Sequence, residues 1–192
     1  MDTKEPRPHT GRRRNEAARR AILDAALDLL ADADGAPVSV ETIARAAGVG
    51  KQTLYRWWPS KGAVLLEALT DRAAQDVPAP DTGSLRGDLR ALATATFDAS
   101  QRPPSAPALR TLVREAARDP HLAELMRTFT EQRRAAVRQI LARGRDRREL
   151  PADRDIDLLV DQFYGFFWYR FLLGHAPLDA ATAEEITDSL LR

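Results

Sequence analysis

Two short helical segments meet at a glycine in the stretch SVETIARAAGVGKQTLYRWWPSK, which runs from Ser39 to Lys61. The first segment starts at Ser39, a good N-cap residue, and ends at Gly48, which can take the left-handed conformation that closes a helix. Thr42 stands where a full capping box has Glu or Gln, so no such box is predicted. The second segment covers about residues 50–57, because Pro59 disfavours helix at the residue before it. Two short helices joined by a tight glycine-containing turn predict a helix-turn-helix.

The same stretch contains a Gly-Lys step with a nearby threonine, which suggests a loop that wraps a nucleotide phosphate. That motif needs Gly, then four residues, then Gly-Lys followed at once by Ser or Thr. Here Arg45 occupies the first glycine position, and Gln52 follows Lys51. The preceding segment is also helical in pattern, whereas the phosphate loop follows a buried strand. The spacing therefore argues against a nucleotide-binding loop.

The second short helix has one apolar and one polar face. At about 100° per residue, Leu54 and Trp58 share a face, with Trp57 at its edge. The opposite arc is polar and basic, and it contains Lys51, Gln52, Tyr55 and Arg56. The second helix of a helix-turn-helix can place such an arc in the major groove of DNA. A solvated helix hairpin would show the same arc, so the pattern by itself leaves both interpretations open.

Each residue along this arc has a chemical use on DNA. Gln52 can form paired hydrogen bonds with adenine, and Lys51 or Arg56 can do so with guanine. Thr53 can contact a thymine methyl group or a phosphate, and the Tyr55 hydroxyl suits a phosphate oxygen.

Further cations flank the segment. Lys61, near the start of the next helix, adds its charge to backbone N–H groups that favour anions. The first twenty residues hold seven Lys and Arg against three Asp and Glu, and they include Arg12, Arg13 and Arg14. We predict a flexible basic arm at residues 1–14 that can reach the DNA backbone or minor groove.

The chain as a whole is patterned as helix, and no strand pattern stands out. The first helix is predicted to begin at the N-cap Asn15 and to stop at Gly35 and Pro37. The proline-rich segment DVPAPDTGS marks a break, so we predict a DNA-binding domain at 15–60, a connecting helix at 61–76 and a helical body at 77–192. Helices in the body are predicted at about 85–100, 107–118, 121–143, 156–175 and 182–191.

Composition excludes several classes of protein. The chain has no cysteine, so disulfides, thiolate nucleophiles and cysteine-based zinc sites are excluded, which fits a reducing cytoplasm. The N-terminus is polar and basic and resembles no signal peptide. The most apolar segment, Ile156 to Leu173, carries three charged side chains, and charges near a bilayer centre are costly. A membrane span is therefore not predicted.

No catalytic constellation is evident in the sequence. The chain has three histidines: His9, His121 and His175. They lack the i, i+4 pairing of helical metal sites. The aspartates at 153, 155 and 157 lack the glycine and closing glutamate of a calcium loop and suit an acidic helix start instead. The sequence therefore predicts no enzyme, metal or cofactor.

The segment DQFYGFFWYRFLLGH holds seven of the chain's aromatic residues. Apolar residues surround this helix on all sides, so it must be covered all round, either inside a large core or at a subunit interface. We favour one face inward and one on a partner subunit. Large apolar residues that could converge on a ligand pocket are Phe97, Met126, Phe129, Phe163 and Phe167. Ordinary core packing is the alternative for each of them.

The stretch from Ser39 to Lys61 closely resembles the DNA-binding signature of the tetracycline-repressor (TetR) family of bacterial transcriptional regulators. The hydrophobic spacing, Gly48, the Leu54-Tyr55 pair and the terminal lysine carry the resemblance, which covers about residues 15–70. It implies an all-α fold with a three-helix DNA-binding head on a larger helical body that dimerises and binds a small inducer. Positions that meet DNA in the family are matched by Ser39, Lys51, Gln52, Thr53, Tyr55, Trp57 and Lys61.

The resemblance adds details of packing and assembly. Trp58 matches a core aromatic position of the family, and Trp57 replaces the commoner His or Tyr, so it offers mainly apolar contact. The last two helices are implied to build a dimeric four-helix bundle, for which the interface candidates are Trp168, Leu172, Ile186 and Leu190.

These features together predict a cytoplasmic homodimeric regulator that binds double-stranded DNA. The expected role is a repressor released from a palindromic operator by a small-molecule inducer. The alternative is a small-molecule-binding or protein-interaction helical dimer without operator binding.

Overall fold

The computed structural model describes residues 10–32, 38–77 and 79–192, and within these ranges the chain forms nine α-helices and no strand. The helices are α1 (Thr10–Asp32), α2 (Val40–Ala46), α3 (Lys51–Trp57), α4 (Lys61–Asp76), α5 (Leu85–Gln101), α6 (Ser105–Ala116), α7 (Pro120–Asp146), α8 (Ile156–Leu173) and α9 (Ala180–Leu191). They divide between two compact units, Met1–Ala68 and Leu69–Arg192. The all-α fold predicted from the sequence is confirmed.

The first helix begins earlier than predicted. It starts at Thr10 rather than Asn15, because the intervening arginines are good helix formers and no proline interrupts them. Residues 10–14 of the predicted flexible arm are therefore helical. Residues 1–9, including His9, and the predicted stop at Gly35 and Pro37 lie outside the described residues.

A small apolar core holds the helices of the first unit together. Helix α2 packs on both α1 and α3. Ile22 of α1, Ile43 of α2 and Leu54 of α3 are completely buried, and the first turns of α4 add Val64 and Leu65. Full burial of such a side chain stabilises the fold by about 1.5–3 kcal/mol. This core therefore fixes which side of α3 faces outward.

The turn between α2 and α3 depends on a glycine conformation. Gly48 has φ +67°, in the left-handed region that other residues adopt only with strain. Its N–H donates to Arg45 O at 3.2 Å, and the N–H of Val49 donates to Ala44 O at 2.9 Å. These bonds end α2 at the position that the sequence predicted, and only a short turn separates α2 from α3.

Two hydroxyl residues form a reciprocal cap at the start of α2. The Thr42 backbone N–H donates to Ser39 Oγ at 3.1 Å, and the Ser39 backbone N–H donates to Thr42 Oγ1 at 2.9 Å. Thr42 also donates its hydroxyl to Ser39 O at 2.8 Å, which holds the short side chain in place. The prediction that no capping box forms was wrong, because threonine takes the role usually given to Glu or Gln.

In the second unit, α5 has a largely buried inner face. It packs against α6, α7 and α9, while α8 packs against α7 and α9. Gly144 of α7 lies against Leu85, and a Cβ at that glycine would come within 2.7 Å of the leucine methyl carbons. Glycine therefore permits this close approach of α7 and α5. Across the described residues, no helix has both the length and the apolarity to cross a membrane.

A buried carboxylate joins the start of α5 to the end of α7. Asp88 is fully buried and accepts hydrogen bonds from the Thr82 N–H at 2.6 Å and from Arg147 Nη2 at 2.9 Å. Arg143 Nη2 lies 3.3 Å from the same carboxylate. Burial alone would raise the pKa of Asp88, but these donors together lower it to about 2.

Candidate functional site

Helix α3 divides into a buried and an exposed face, as its sequence pattern predicts. Leu54 is 0% exposed and Trp58, directly after the helix, is 3% exposed. On the other side, Gln52, Tyr55 and Arg56 are exposed. The exposed groups are an amide, a phenol and a guanidinium, which between them donate and accept hydrogen bonds. This surface has the chemistry needed to read base edges and contact phosphates.

Lys51, the first residue of α3, forms an ion pair with Glu41 in the first turn of α2. Both side chains are about half exposed, at 49% and 53%. The hydrogen bond between them raises the pKa of Lys51 and lowers that of Glu41, so both groups stay charged at neutral pH. The ammonium group also lies 5.6 Å from the ring centroid of Tyr55. Glu41 was not predicted from the sequence to contribute to this site, although the predicted start of α2 places it in the first turn of that helix.

The two adjacent tryptophans have different environments. Trp58 is buried, and its indole N–H donates to Glu67 Oε2 at 2.6 Å. Trp57 is half-buried, meets the Trp58 ring edge-on at 5.5 Å between centroids, and has the Arg56 guanidinium 5.4 Å from its own ring centroid. Trp57 therefore offers an apolar surface beside the exposed arc rather than a hydrogen-bonding group.

The other predicted DNA contacts lie around α3. Ser39 and Thr53 are half-buried, and Lys61 is half-buried at the start of α4. Arg12, Arg13 and Arg14 lie in the first turns of α1, and their side chains are outside the described residues. The predicted residues thus lie at the N-cap of α2, along α3 and at the start of α4.

The second unit contains an apolar cavity of about 70 Å³. Its walls come from the end of α4 and from α5, α6, α7 and α8, and include Val77, Thr96, Leu109, Phe129, Arg133, Tyr164, Phe167 and Trp168. Of the five residues predicted to line a pocket, Phe129 and Phe167 do so. Phe97 and Phe163 are 1% exposed and lie in the packed core, and Met126 borders a separate groove between α6 and α7.

Polar groups in the cavity wall were not predicted from the sequence. Arg133 donates from Nη2 to Val77 O at 3.1 Å and from Nη1 to Ala73 O at 3.5 Å. The Tyr164 hydroxyl donates to Arg133 O at 3.0 Å, and burial raises the pKa of Tyr164. The buried Thr96 Oγ1 has no hydrogen-bond partner within the described part of the chain. The helical sequence pattern does not indicate whether a given arginine or threonine side chain faces a cavity.

The predicted interface residues fall into two groups. Ile186 and Leu190 of α9 are 7% and 2% exposed, so they belong to the core of their own chain and offer no surface to a partner. Trp168 lines the cavity and packs edge-on against Phe167. Leu172 remains at the surface, together with other exposed apolar residues of α8, namely Leu158, Tyr169 and Leu173.

A helix-turn-helix with an outward polar and basic face, carried on an all-helical chain, defines a DNA-binding protein of the helix-turn-helix class. The family described as "Bacterial regulatory proteins, tetR family" matches residues 22–68, and "Tetracyclin repressor-like, C-terminal domain" matches residues 79–190. The chain belongs to the TetR family of transcriptional regulators, with an N-terminal DNA-binding domain.

Known proteins resemble the chain along most of its length. The HTH-type transcriptional regulator YdeS of Bacillus subtilis, itself uncharacterised, is 36% identical over 95% of this chain and 88% of the relative. The HTH-type transcriptional regulator AqdR of Rhodococcus erythropolis is 34% identical over 79% and 74% of the two chains. The crystal structure of the TetR family regulator SCO0332 superimposes with a TM-score of 0.80 at 35% identity, covering 91% of this chain and 96% of that one.

Proposed function

We propose that the protein is a cytoplasmic, dimeric repressor that binds a palindromic operator and leaves it when a small molecule enters the cavity. The observation that supports operator binding is the division of α3. Its Leu54 is buried, while Gln52, Tyr55 and Arg56 face outward. A glutamine and an arginine on the exposed arc provide the paired hydrogen bonds that distinguish adenine and guanine in the major groove.

The exposed apolar face of α8 supports dimerisation. Leu158, Tyr169, Leu172 and Leu173 are the exposed large apolar residues of the second unit. A row of this kind on one helix marks an interaction site more often than ordinary surface. Gly165 lies on the same helix with open space around its Cα, so a partner helix could approach closely there. Two copies would present two α3 helices to half-sites about 34–36 Å apart.

The cavity supports ligand control. At about 70 Å³ it is far smaller than the pockets of roughly 300–1,000 Å³ that hold drug-sized ligands. A ligand must therefore widen it by moving the helices that form its walls. One of these is α4, a single helix that begins at Lys61 in the first unit and ends in the cavity wall. The ligand shifts the protein between two arrangements only by its different affinity for each.

A salt titration of DNA binding tests the proposed function. The protein is titrated onto a labelled fragment from upstream of its own gene and onto a shuffled fragment of equal length and composition. We expect selective binding to the upstream fragment. The logarithm of its association constant should fall linearly with the logarithm of the salt concentration, with a slope of about −0.9 per neutralised phosphate. Equal, weak binding to both fragments at low salt would instead favour a helical dimer that binds small molecules or proteins but no operator.

A further inference from the structure

We infer that the ligand of the cavity is a planar aromatic carboxylate whose acid group binds the guanidinium of Arg133. This inference rests on the proposed ligand response and adds the chemical class of the ligand. Three features of the wall support it: its aromatic rings, a guanidinium that has no acidic partner among the described residues, and a buried hydroxyl that has no hydrogen-bond partner there.

The aromatic part of the wall is rigid. Phe167, which lines the cavity, stacks on Phe97 at 6.1 Å between ring centroids and 8° between planes, and on Phe171 at 5.5 Å and 17°. Trp168 meets Phe167 edge-on at 5.2 Å. Rings fixed by such neighbours present a preorganised surface, and a flat aromatic ligand gains contact with it by offset or edge-to-face stacking.

Arg133 differs from its neighbours on α7. Arg134 pairs with Asp161, and Arg138 pairs with Asp157 and Glu131. Among the described residues, by contrast, Arg133 has no carboxylate partner and donates only to the neutral carbonyls of Ala73 and Val77. The half-buried guanidinium therefore lines an apolar cavity and has neutral carbonyls as its hydrogen-bond acceptors.

Arg72 and Asp76, the other charged residues of the wall, do not change this balance. They pair with each other, with Arg72 Nε 3.0 Å from Asp76 Oδ2. The net charge of the wall is therefore that of Arg133. In the bonds from Arg133 to the carbonyls only the donor is charged, whereas a carboxylate is charged as well and can accept two parallel hydrogen bonds from one guanidinium, so an entering carboxylate can displace the carbonyls from Arg133.

Thr96 provides the second polar contact. Its Oγ1 is buried in the cavity wall and has no partner among the residues that the structure describes, and a buried hydroxyl without a hydrogen bond costs free energy. A polar substituent on the ring of the ligand would satisfy it. The wall thus favours a flat and mostly apolar molecule that carries one acid group for Arg133 and one further polar atom for Thr96.

Binding of the acid would also remove the cap of α4. The carbonyls of Ala73 and Val77 belong to the last turn of α4 and the residue after it. The last carbonyls of a helix lack the full set of partners within the helix. Arg133 donates to Val77 O, and it adds a second donor to Ala73 O, which also accepts the Val77 N–H at 3.0 Å. A carboxylate that takes over the guanidinium leaves the Val77 carbonyl without this donor and the Ala73 carbonyl with the Val77 N–H alone, which loosens the last turn of α4. The ligand thereby acts on the helix that connects the two units.

The test uses 2-naphthoate and its neutral counterpart 2-naphthamide, titrated calorimetrically into the full-length protein without DNA. We expect 2-naphthoate to bind at least about tenfold more tightly, as one charge-assisted hydrogen bond implies. Arg133→Gln should remove that difference and leave 2-naphthamide binding within about twofold. Arg127→Gln is the matched control, because Arg127 lies on the same helix, pairs with Glu124 and lies outside this cavity.

Several results would overturn the inference. Equal affinity for acid and amide, an acid preference that survives Arg133→Gln, or no binding of 2-naphthoate at millimolar concentration would each do so. Because the assay contains no DNA, these results are independent of operator binding. A neutral molecule that binds the cavity and releases DNA would leave the proposed repressor intact while refuting the carboxylate.

Hydrogen exchange tests the uncapping separately. Amides at residues 73–77 of the wild-type protein should exchange faster with 2-naphthoate bound than without it, while those of α7 should be slower or unchanged. The amide ligand should produce no such acceleration. Protection of residues 73–77 by 2-naphthoate would show that Arg133 stays on the α4 carbonyls and would refute the uncapping.

Discussion

The Trp58 indole N–H donates a 2.6 Å hydrogen bond to the carboxylate of Glu67, which ties the residue after α3 to α4. The same carboxylate pairs with Arg19 of α1. Helices α1 and α4 and the end of α3 therefore meet at a single acidic group. The outward direction of Gln52 and Tyr55 depends on this partly buried polar contact as well as on the burial of Leu54.

Trp58→Phe should destabilise the protein by about 1–2 kcal/mol, since it removes a hydrogen bond to a charged acceptor while keeping most of the apolar volume. The measurement is the urea midpoint of the first unfolding transition. Trp57→Phe is the control, because Trp57 is only half-buried. Equal shifts in the two variants would mean that the bond to Glu67 contributes nothing.

Much of the first unit was predictable because its residues obey short-range rules. Helical spacing placed Leu54 inside and Tyr55 outside, and Gly48 and Pro59 marked helix ends by their backbone limits. The start of α1 was mispredicted, because an arginine run has good helix propensity whatever its charge. The cap of α2 was missed because a threonine hydroxyl replaced the usual longer side chain.

The cavity and the surface of α8 were harder to predict, because α8 is apolar on all sides and periodicity gives no preferred face. Trp168 thus turned out to line the cavity, and Leu172 to face outward. Arg133 belongs to a helix rich in arginine, and only the three-dimensional packing separates it from those with acidic partners. Such assignments depend on contacts between distant segments, which a single sequence does not encode locally.

Gln52→Ala and Lys61→Ala should differ in their effect on specificity. Loss of a base-reading amide should weaken binding to the preferred site by about 1–3 kcal/mol more than binding to random DNA. Loss of a phosphate-contacting lysine should weaken both by similar amounts and reduce the salt slope by about 0.9. Competition titrations on both DNAs measure the difference. A parallel loss for Gln52→Ala would contradict its proposed role in base reading.

Glu41→Gln should strengthen binding to random DNA and make it more sensitive to salt. In the free protein the Glu41 carboxylate pairs with Lys51, and its negative charge lies beside the exposed arc of α3. Neutralising it frees the lysine for phosphate, so the salt slope should steepen by about 0.9. Glu124→Gln breaks a comparable surface pair with Arg127 in the second unit and should change neither quantity. A lower affinity for random DNA after Glu41→Gln would show that Glu41 does not hold Lys51 back from phosphate.

Asp88 should make the second unit sensitive to acid. Its pKa is lowered from 3.8 to about 2 in the folded state, so its stabilising effect is fully present above about pH 4 and is lost as pH falls toward 2. The shift corresponds to about 2 kcal/mol. Asp88→Asn should lower stability at pH 7 and flatten the decline between pH 4 and 2, as measured by urea unfolding. Asp81→Asn is the control, because Asp81 is an exposed partner of Arg147. This variant should lose stability between pH 4 and 2 as the wild-type protein does.

Leu172→Glu should convert the proposed dimer to a monomer without unfolding it. Leu172 is 44% exposed on α8 in the single chain, so a glutamate there meets water in the monomer but apolar surface in the dimer. Burying an unpaired charge at the centre of an interface costs several kcal/mol, so dimer affinity should fall at least about a hundredfold. Sedimentation velocity at micromolar concentration measures the change, and circular dichroism checks the fold. Ala135→Glu adds the same charge at an exposed position of α7 and should leave the dimer intact.

DNA binding should fall with dimerisation, because one α3 helix alone reads only one half-site. A Leu172→Glu protein that remains dimeric would show that α8 does not form the subunit contact.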